Sequence, residues 1–145
     1  MATTESKKPV PIPDDASAPF FDGAKRGELM ILRCGACGHS MWGTSHSGSL
    51  PVNPRCHACF SDHLDWVAAS GKATLYSFVI MHQPYPGFED EVPYNIALVE
   101  LEEGVRCISN VVGVDNADLE IGMPLEVTFE ALSDEVSLPM FRRSE

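Results

Sequence analysis

The sequence predicts a mainly β protein in three parts: a short N-terminal helical segment, a small module pinned by cysteines, and a closed five-stranded barrel. Three observations carry that expectation. Two Cys-x-x-Cys pairs, in RCGACGH from Arg33 and RCHAC from Arg55, flank a polar stretch rich in Gly and Ser. Beyond them, β-patterned segments follow one another through residues 67–145. A single short helical insert, DNADLEIGM, interrupts that run.

The 145 residues suffice for one sizeable core, or for a small core plus a metal-built module. Residues 1–16 read as an extended arm, because Pro9, Pro11 and Pro13 alternate. Residues 17–29 read as helical. Ser17 or Ala18 precedes a first turn containing Pro19, where a missing N–H is harmless. Phe20, Phe21 and Ala24 give one apolar side, Gly27 is a terminator, and Gly23 argues against the helix. Glu28 to Arg33 forms a strand entering the first Cys pair, and the cysteine module is expected over residues 30–66. The barrel then occupies residues 67–145. Gly71 marks a break and Ala73 to Gln83 a long strand, followed by a Pro-rich loop from His82 to Pro93. YNIALVELEE and VRCISNVVG pair across Gly104 as a hairpin. In LEVTFEA, Leu125, Val127, Phe129 and Ala131 alternate with polar residues, as in a half-buried strand. VSLPMF returns, with Pro139 confining it to an edge or a bulge. Closing such a sheet removes its exposed edges, and the five-stranded OB barrel has this strand count and this insert.

The net charge of −11 is unevenly spread. Residues 1–84 carry seven acids and seven bases, whereas residues 85–145 carry fourteen acids and three bases. The barrel half therefore repels a polyanion. No run of 18 apolar residues exists to span a membrane, and the first residues lack the apolar core of a signal peptide. A cytoplasmic location is expected, where thiols stay reduced.

That setting decides how the five cysteines are read. Cys34-x2-Cys37-x18-Cys56-x2-Cys59 lets two tight knuckles aim four thiolates at one ion, which suits one zinc per chain. Gly35 and Gly38 ease the first knuckle. Metal binding in such segments contributes about 10–16 kcal/mol to folding. Disulfides require an oxidising compartment, and a four-thiolate iron site has the same ligands, so both stand as alternatives. Four thiolates close the coordination sphere, so the site reads as structural rather than catalytic. His39 and His57 lie beside the ligands and read as exposed loop residues. Cys107, within VRCISN, reads as a small buried residue rather than a nucleophile. His82 is a candidate proton-transfer group or a strand-end histidine. Trp42, Tyr85 and Phe88 are candidate exposed aromatics. No phosphate loop, nucleophile elbow or His-Glu-x-x-His motif is present, and no catalytic residue is named.

The order of SAPFFDGAKRGELMILRCGACG, PRCHAC, WVAASGKATLYSFVIMH, PYNIALVELEEGVR and IGMPLEVTFE resembles one family, from about Pro19 to Phe141. It is the zinc-ribbon plus OB-fold family known as domain of unknown function thirty-five. The resemblance implies an N-terminal helical segment, a rubredoxin-like zinc ribbon and an OB barrel. It carries the zinc ligands over to Cys34, Cys37, Cys56 and Cys59, while the loop from Gly38 to Arg55 is longer than in many relatives. It also implies a non-catalytic subunit that accompanies thiolase-like, lipid-transfer-type enzymes, aldolases or acyl-CoA synthases and helps shape an acyl-CoA site. CoA phosphates would avoid the acidic barrel and meet Lys25, Arg26 and Arg33, or bases of the partner. The expected contact surface combines the helix around Phe20 and Phe21, with Lys25 and Arg26, and the loop carrying His82, Tyr85 and Phe88.

The rival reading is a nucleic-acid-binding module, since ribbons and OB barrels often are one. That class needs a basic groove with stacking aromatics, and the acidic barrel half opposes it. Titration with single-stranded DNA or RNA at physiological salt should accordingly show negligible binding. Micromolar affinity lost steeply on adding salt would revive the nucleic-acid reading.

Overall fold

The computed structural model describes residues 10–15, 17–43 and 54–144. The expected arm lies outside them for residues 1–9 and 16, as do residues 44–53 between the cysteine pairs. Helix α1, Ala18–Arg26, starts and stops where the sequence indicates. Before it, the Ser17 N–H donates to Asp14 Oδ1 at 2.8 Å and the Asp14 N–H to Ser17 Oγ at 3.0 Å. After it, Gly27 takes the left-handed φ of 84° that ends a helix without Cβ strain. Gly23, which argued against the helix, is there for packing: a Cβ would stand 2.3 Å from Met30 Cγ.

The apolar side of α1 faces inward. Phe20 and Phe21 are each only 5% exposed, and Phe20 meets Trp42 edge-on at 5.4 Å between ring centroids. Both phenylalanines belong to the same buried cluster as Leu29, Ile31 and the barrel interior. This corrects the expectation that they form part of a contact surface. Removing a phenylalanine side chain from water is favourable by about 1.5–3 kcal/mol, and the folded chain itself supplies the cover. Trp42 is likewise half-buried, packed on that cluster.

Strands β1 (Met30–Cys34), β2 (Ser40–Met41) and β3 (Leu64–Ala68) form an antiparallel sheet in the order β2-β1-β3. Ile31 and Leu32 are both buried, so β1 is covered on its two faces. The barrel comprises β4 (Lys72–Met81), β5 (Tyr94–Leu101), β6 (Arg106–Ser109), β7 (Val111–Val112), β8 (Pro124–Ala131) and β9 (Ser137–Arg143). The sheet order is β6-β5-β4-β8-β9-β7. Strands β6 and β7 are one extended segment bent at Asn110, so five strands close a ring. β6 pairs with β5, while Val111 and Val112 pair in parallel with Phe141 and Arg142 of β9. A bulge at Tyr76, between Leu75 and Ser77, adds the twist that β4 needs to pair with both β5 and β8. The expected helical insert is a single 3-10 turn, Asn116–Asp118, ahead of β8. Pro139 lies opposite Phe129, on a part of β9 that β7 does not reach, as its missing N–H requires.

The bend is held by a buried amide that sequence reading passed over. Asn95, 6% exposed, accepts from the Val111 N–H at 2.7 Å and donates to the Val111 carbonyl at 2.8 Å. Its side chain thus serves as the peptide partner that β7 lacks on that side. Asn110 donates to the Asn95 carbonyl and Asn116 to that of Pro93. Replacing Asn95 by Ala leaves two backbone groups of Val111 without partners. The substitution should lower the stability of the folded chain by about 2–4 kcal/mol in urea unfolding, whereas Asn116→Ala, nearer solvent, should cost under about 1.5 kcal/mol.

Candidate metal centre and contact residues

Strand β1 delivers Cys34 to the end of its sheet, and the two knuckles that follow are built alike. In the first, the Cys34 N–H donates to the His39 carbonyl at 2.9 Å and the Gly38 N–H returns to the Cys34 carbonyl at 2.9 Å. In the second, the Cys56 N–H donates to the Ser61 carbonyl at 2.8 Å and the Phe60 N–H returns to the Cys56 carbonyl at 2.9 Å. The Gly35 N–H reaches the His63 carbonyl at 2.7 Å and ties one knuckle to the other. The fifth residue of each turn is left-handed: Gly38 at φ 79° and Phe60 at φ 66°. Glycine adopts this freely. A side chain there costs about 1–2 kcal/mol, so Phe60 is a strained position.

The four sulfurs converge, all within 4.8 Å of one another. Cys34 and Cys59 stand 3.6 Å apart across the knuckles, as do Cys37 and Cys56. Those separations are well beyond the roughly 2.05 Å of a disulfide bond. A tetrahedron with metal–sulfur bonds of about 2.3 Å has edges of about 3.8 Å, so the cluster fits one such ion. Cys34 and Cys56 are buried, and Cys37 and Cys59 face outward. Without an ion the thiols divide their charge unequally. The Cys37 and Ala36 amides hold the Cys34 thiol down to about 6, and the Cys59 and Ala58 amides lower Cys56. The His39 amide draws Cys37 down, but desolvation and the neighbouring sulfurs prevail and push it up to about 12. Cys59 is raised as well, its Ser61 amide outweighed by Cys34, Cys56 and burial. Crowded thiolates resist full ionisation, and a dication removes that conflict.

The other residues singled out from sequence lie apart from the cluster. His39 and His57 are exposed and do not enter it, as expected. Cys107 is buried in the barrel, where desolvation pushes its thiol up to about 12. It is a core residue. Lys25, Arg26, Arg33 and His82 are exposed, and Arg26 is paired with Glu28 at 3.3 Å. Tyr85 is 48% exposed, while Phe88 is half-buried with its ring 5.6 Å from that of Tyr94. A groove of about 300 Å³ opens beside this loop, lined by Phe88, Tyr94, Asn95, Asn110, Asn116 and Met140 among others. Its amides are committed to the backbone bonds described above. Phe60 was missed in the sequence, although aligning CGACG with CHACF sets it against Gly38. No helix among the described residues is long and apolar enough to cross a membrane.

Metal binding requires all four thiols to lose their protons, so protons compete with the ion. Affinity should fall as pH falls, and release of the ion on acidification can be followed with a chromogenic chelator. Cys34→Ser should abolish stoichiometric metal by elemental analysis, whereas Cys107→Ser should leave it unchanged. In the folded chain Cys107 should resist iodoacetamide and react only on unfolding.

Comparison with known proteins places this geometry. The ChsH2 C-terminal OB-fold domain matches residues 66–130. A probable enoyl-CoA hydratase alpha subunit of Thermomonospora curvata is 38% identical over 93% of this chain. The chain spans only 40% of that relative's length. The solved structure of the Ltp2-ChsH2(DUF35) aldolase contains a chain that superimposes with a TM-score of 0.74 at 38% identity, covering 92% of this chain and 98% of that one. A DUF35 domain-containing scaffold protein of Methanocaldococcus jannaschii is 31% identical over 74% of this chain and 71% of its own length. With a cysteine cluster of ribbon spacing ahead of an OB barrel, and relatives matched over most of their length, this chain belongs to the DUF35 family.

Proposed function

We propose that the protein is a non-catalytic accessory subunit of a thiolase-like, lipid-transfer-type enzyme acting on acyl-CoA, and that it helps shape the acyl-CoA site. The observation that carries this reading is the near-complete overlap with one chain of the Ltp2-ChsH2(DUF35) aldolase. The name of the Thermomonospora relative, a hydratase alpha subunit, supports acyl-CoA chemistry at the coarser level. The four cysteines would hold one zinc, which supplies structural cross-linking of the two knuckles when bound. Four sulfurs complete a tetrahedron and leave no position for substrate, so the chain's own contribution is surface and rigidity. Five free thiols suit a reducing compartment such as the cytoplasm.

The exposed bases offer the CoA phosphates a less repulsive approach than the barrel. Lys25 and Arg26 end helix α1 and Arg33 lies on β1. The three bases after residue 84 sit among fourteen acids, and two are engaged, Arg106 with Glu100 at 2.9 Å and Arg142 with Glu126 at 2.8 Å; of the helix and β1 bases, Arg26 is paired with Glu28 at 3.3 Å. On the loop, Tyr85 is the exposed aromatic, its carbonyl accepts from the Phe88 N–H at 2.8 Å, and the Phe88 ring packs 5.6 Å from that of Tyr94.

The test is reconstitution. Purified alone, the protein should show no thiolase, aldolase or thioesterase turnover, and adding the thiolase-like enzyme should restore or raise activity. Tyr85→Ala combined with Phe88→Ala should weaken that complex while leaving metal content intact. Enzyme-like turnover of an acyl-CoA by the isolated chain, or the absence of a thiolase-fold protein among its companions in the native host, would end this reading.

A further inference from the structure

We propose that the tip of the second knuckle, Phe60 with Arg55 over its ring, anchors the ribbon in an apolar pocket, acidic at its rim, on the thiolase-like enzyme. This rests on the partnership proposed above and assigns it a surface outside the helix and the His82–Pro93 loop. Phe60 is 75% exposed and stands outside the buried cluster. Its backbone is left-handed, and its N–H makes the same bond to Cys56 that the Gly38 N–H makes to Cys34, both at 2.9 Å. The knuckle therefore closes equally well on glycine. In the isolated chain a phenylalanine there is unfavourable twice over, in backbone strain and in exposed apolar area.

The ring is nonetheless held in place. The Arg55 guanidinium lies 5.7 Å from its centroid, and Asp62 lies 3.8 Å from Arg55. A ring fixed beforehand loses little freedom on docking, and a phenylalanine paired with arginine is a favoured interface anchor. Two copies of a chain at −11 repel, which disfavours self-association through this tip. An aromatic beside an arginine also suits base stacking, but a chain at −11 repels a polyanion. Asp62 approaches the guanidinium only to 3.8 Å and the Arg55 side chain stays 45% exposed, so its remaining N–H donors fit a carboxylate-edged pocket on a protein.

The experiment places a photoactivatable benzophenone residue at position 60, at position 85 or at the exposed control position Ile121 of the full chain in its native host. Cross-linked products are identified by mass spectrometry. Phe60→Gly and Phe60→Asn, both tolerant of a left-handed backbone, are then measured for melting temperature, metal content and affinity for the enzyme recovered. Position 60 should cross-link to a thiolase-fold enzyme and position 121 should not. Both variants should melt no lower than the wild type, keep their metal, and bind that enzyme at least about tenfold more weakly. Recovery of the enzyme from position 85 but not 60, or variants that bind undiminished, would overturn the anchor and leave the partnership standing. Recovery from neither position would remove both. Cross-linking of position 60 to nucleic acid or to a second copy of the chain would also overturn the anchor, as would variants that lose metal or melt lower.

Discussion

The barrel depends on one strand serving two edges. The four-stranded sheet β5-β4-β8-β9 would expose a row of unpaired peptide groups at each edge, and the segment from Arg106 to Val112 covers both. It pairs antiparallel with β5, turns at Asn110, and pairs in parallel with β9. A strand cannot change partners without leaving some of its peptide groups unmatched. Asn95 supplies the match, because a carboxamide has the donor and acceptor of a peptide on a side chain. The Asn110 carbonyl accepts from the Phe141 N–H at 3.0 Å, so the bend itself contributes to closure. The groove beside the His82–Pro93 loop is a consequence: it opens where the strand changes course and its polar walls are already used.

Closure in turn gives the ribbon something to pack on. Leu29, Ile31, Phe20 and Phe21 share one buried cluster with Leu75, Val99, Leu125 and Phe141 of the barrel. A three-stranded sheet with twelve residues in its strands cannot bury enough apolar area to be stable by itself. One end of this sheet leans on the helix and the barrel, and the other is organised around the cysteine cluster. The two knuckles have little apolar cover, and their outer residues, Cys37 in the first and Cys59 and Phe60 in the second, face solvent. Within the described ribbon, this is the part least supported by packing and most dependent on the chemistry of its sulfurs.

Charge divides the chain into two regions. The barrel half is acidic and two of the three bases after residue 84 are paired, whereas Lys25, Arg26 and Arg33 stand exposed on the helix end and ribbon. The helix presents Lys25 and Arg26 because its phenylalanines are turned inward.

Local chemistry was legible in the sequence. The helix limits followed from Pro19 and Gly27, the knuckles from two Cys-x-x-Cys pairs, and the strands from period-two alternation, because each is set by residues a few positions apart. Charge distribution, which needs no fold, also stood. What only the tertiary structure decided were the relations between distant segments. Whether Phe20 and Phe21 were anchors or core depended on whether the barrel reached them, and their sequence pattern is the same in either case. Asn95 is an ordinary strand residue until Val111 arrives beside it, sixteen positions later, with two peptide groups to satisfy. Phe60 became conspicuous only when its φ and its exposure were known, since neither strain nor solvent contact is a property of the residue alone.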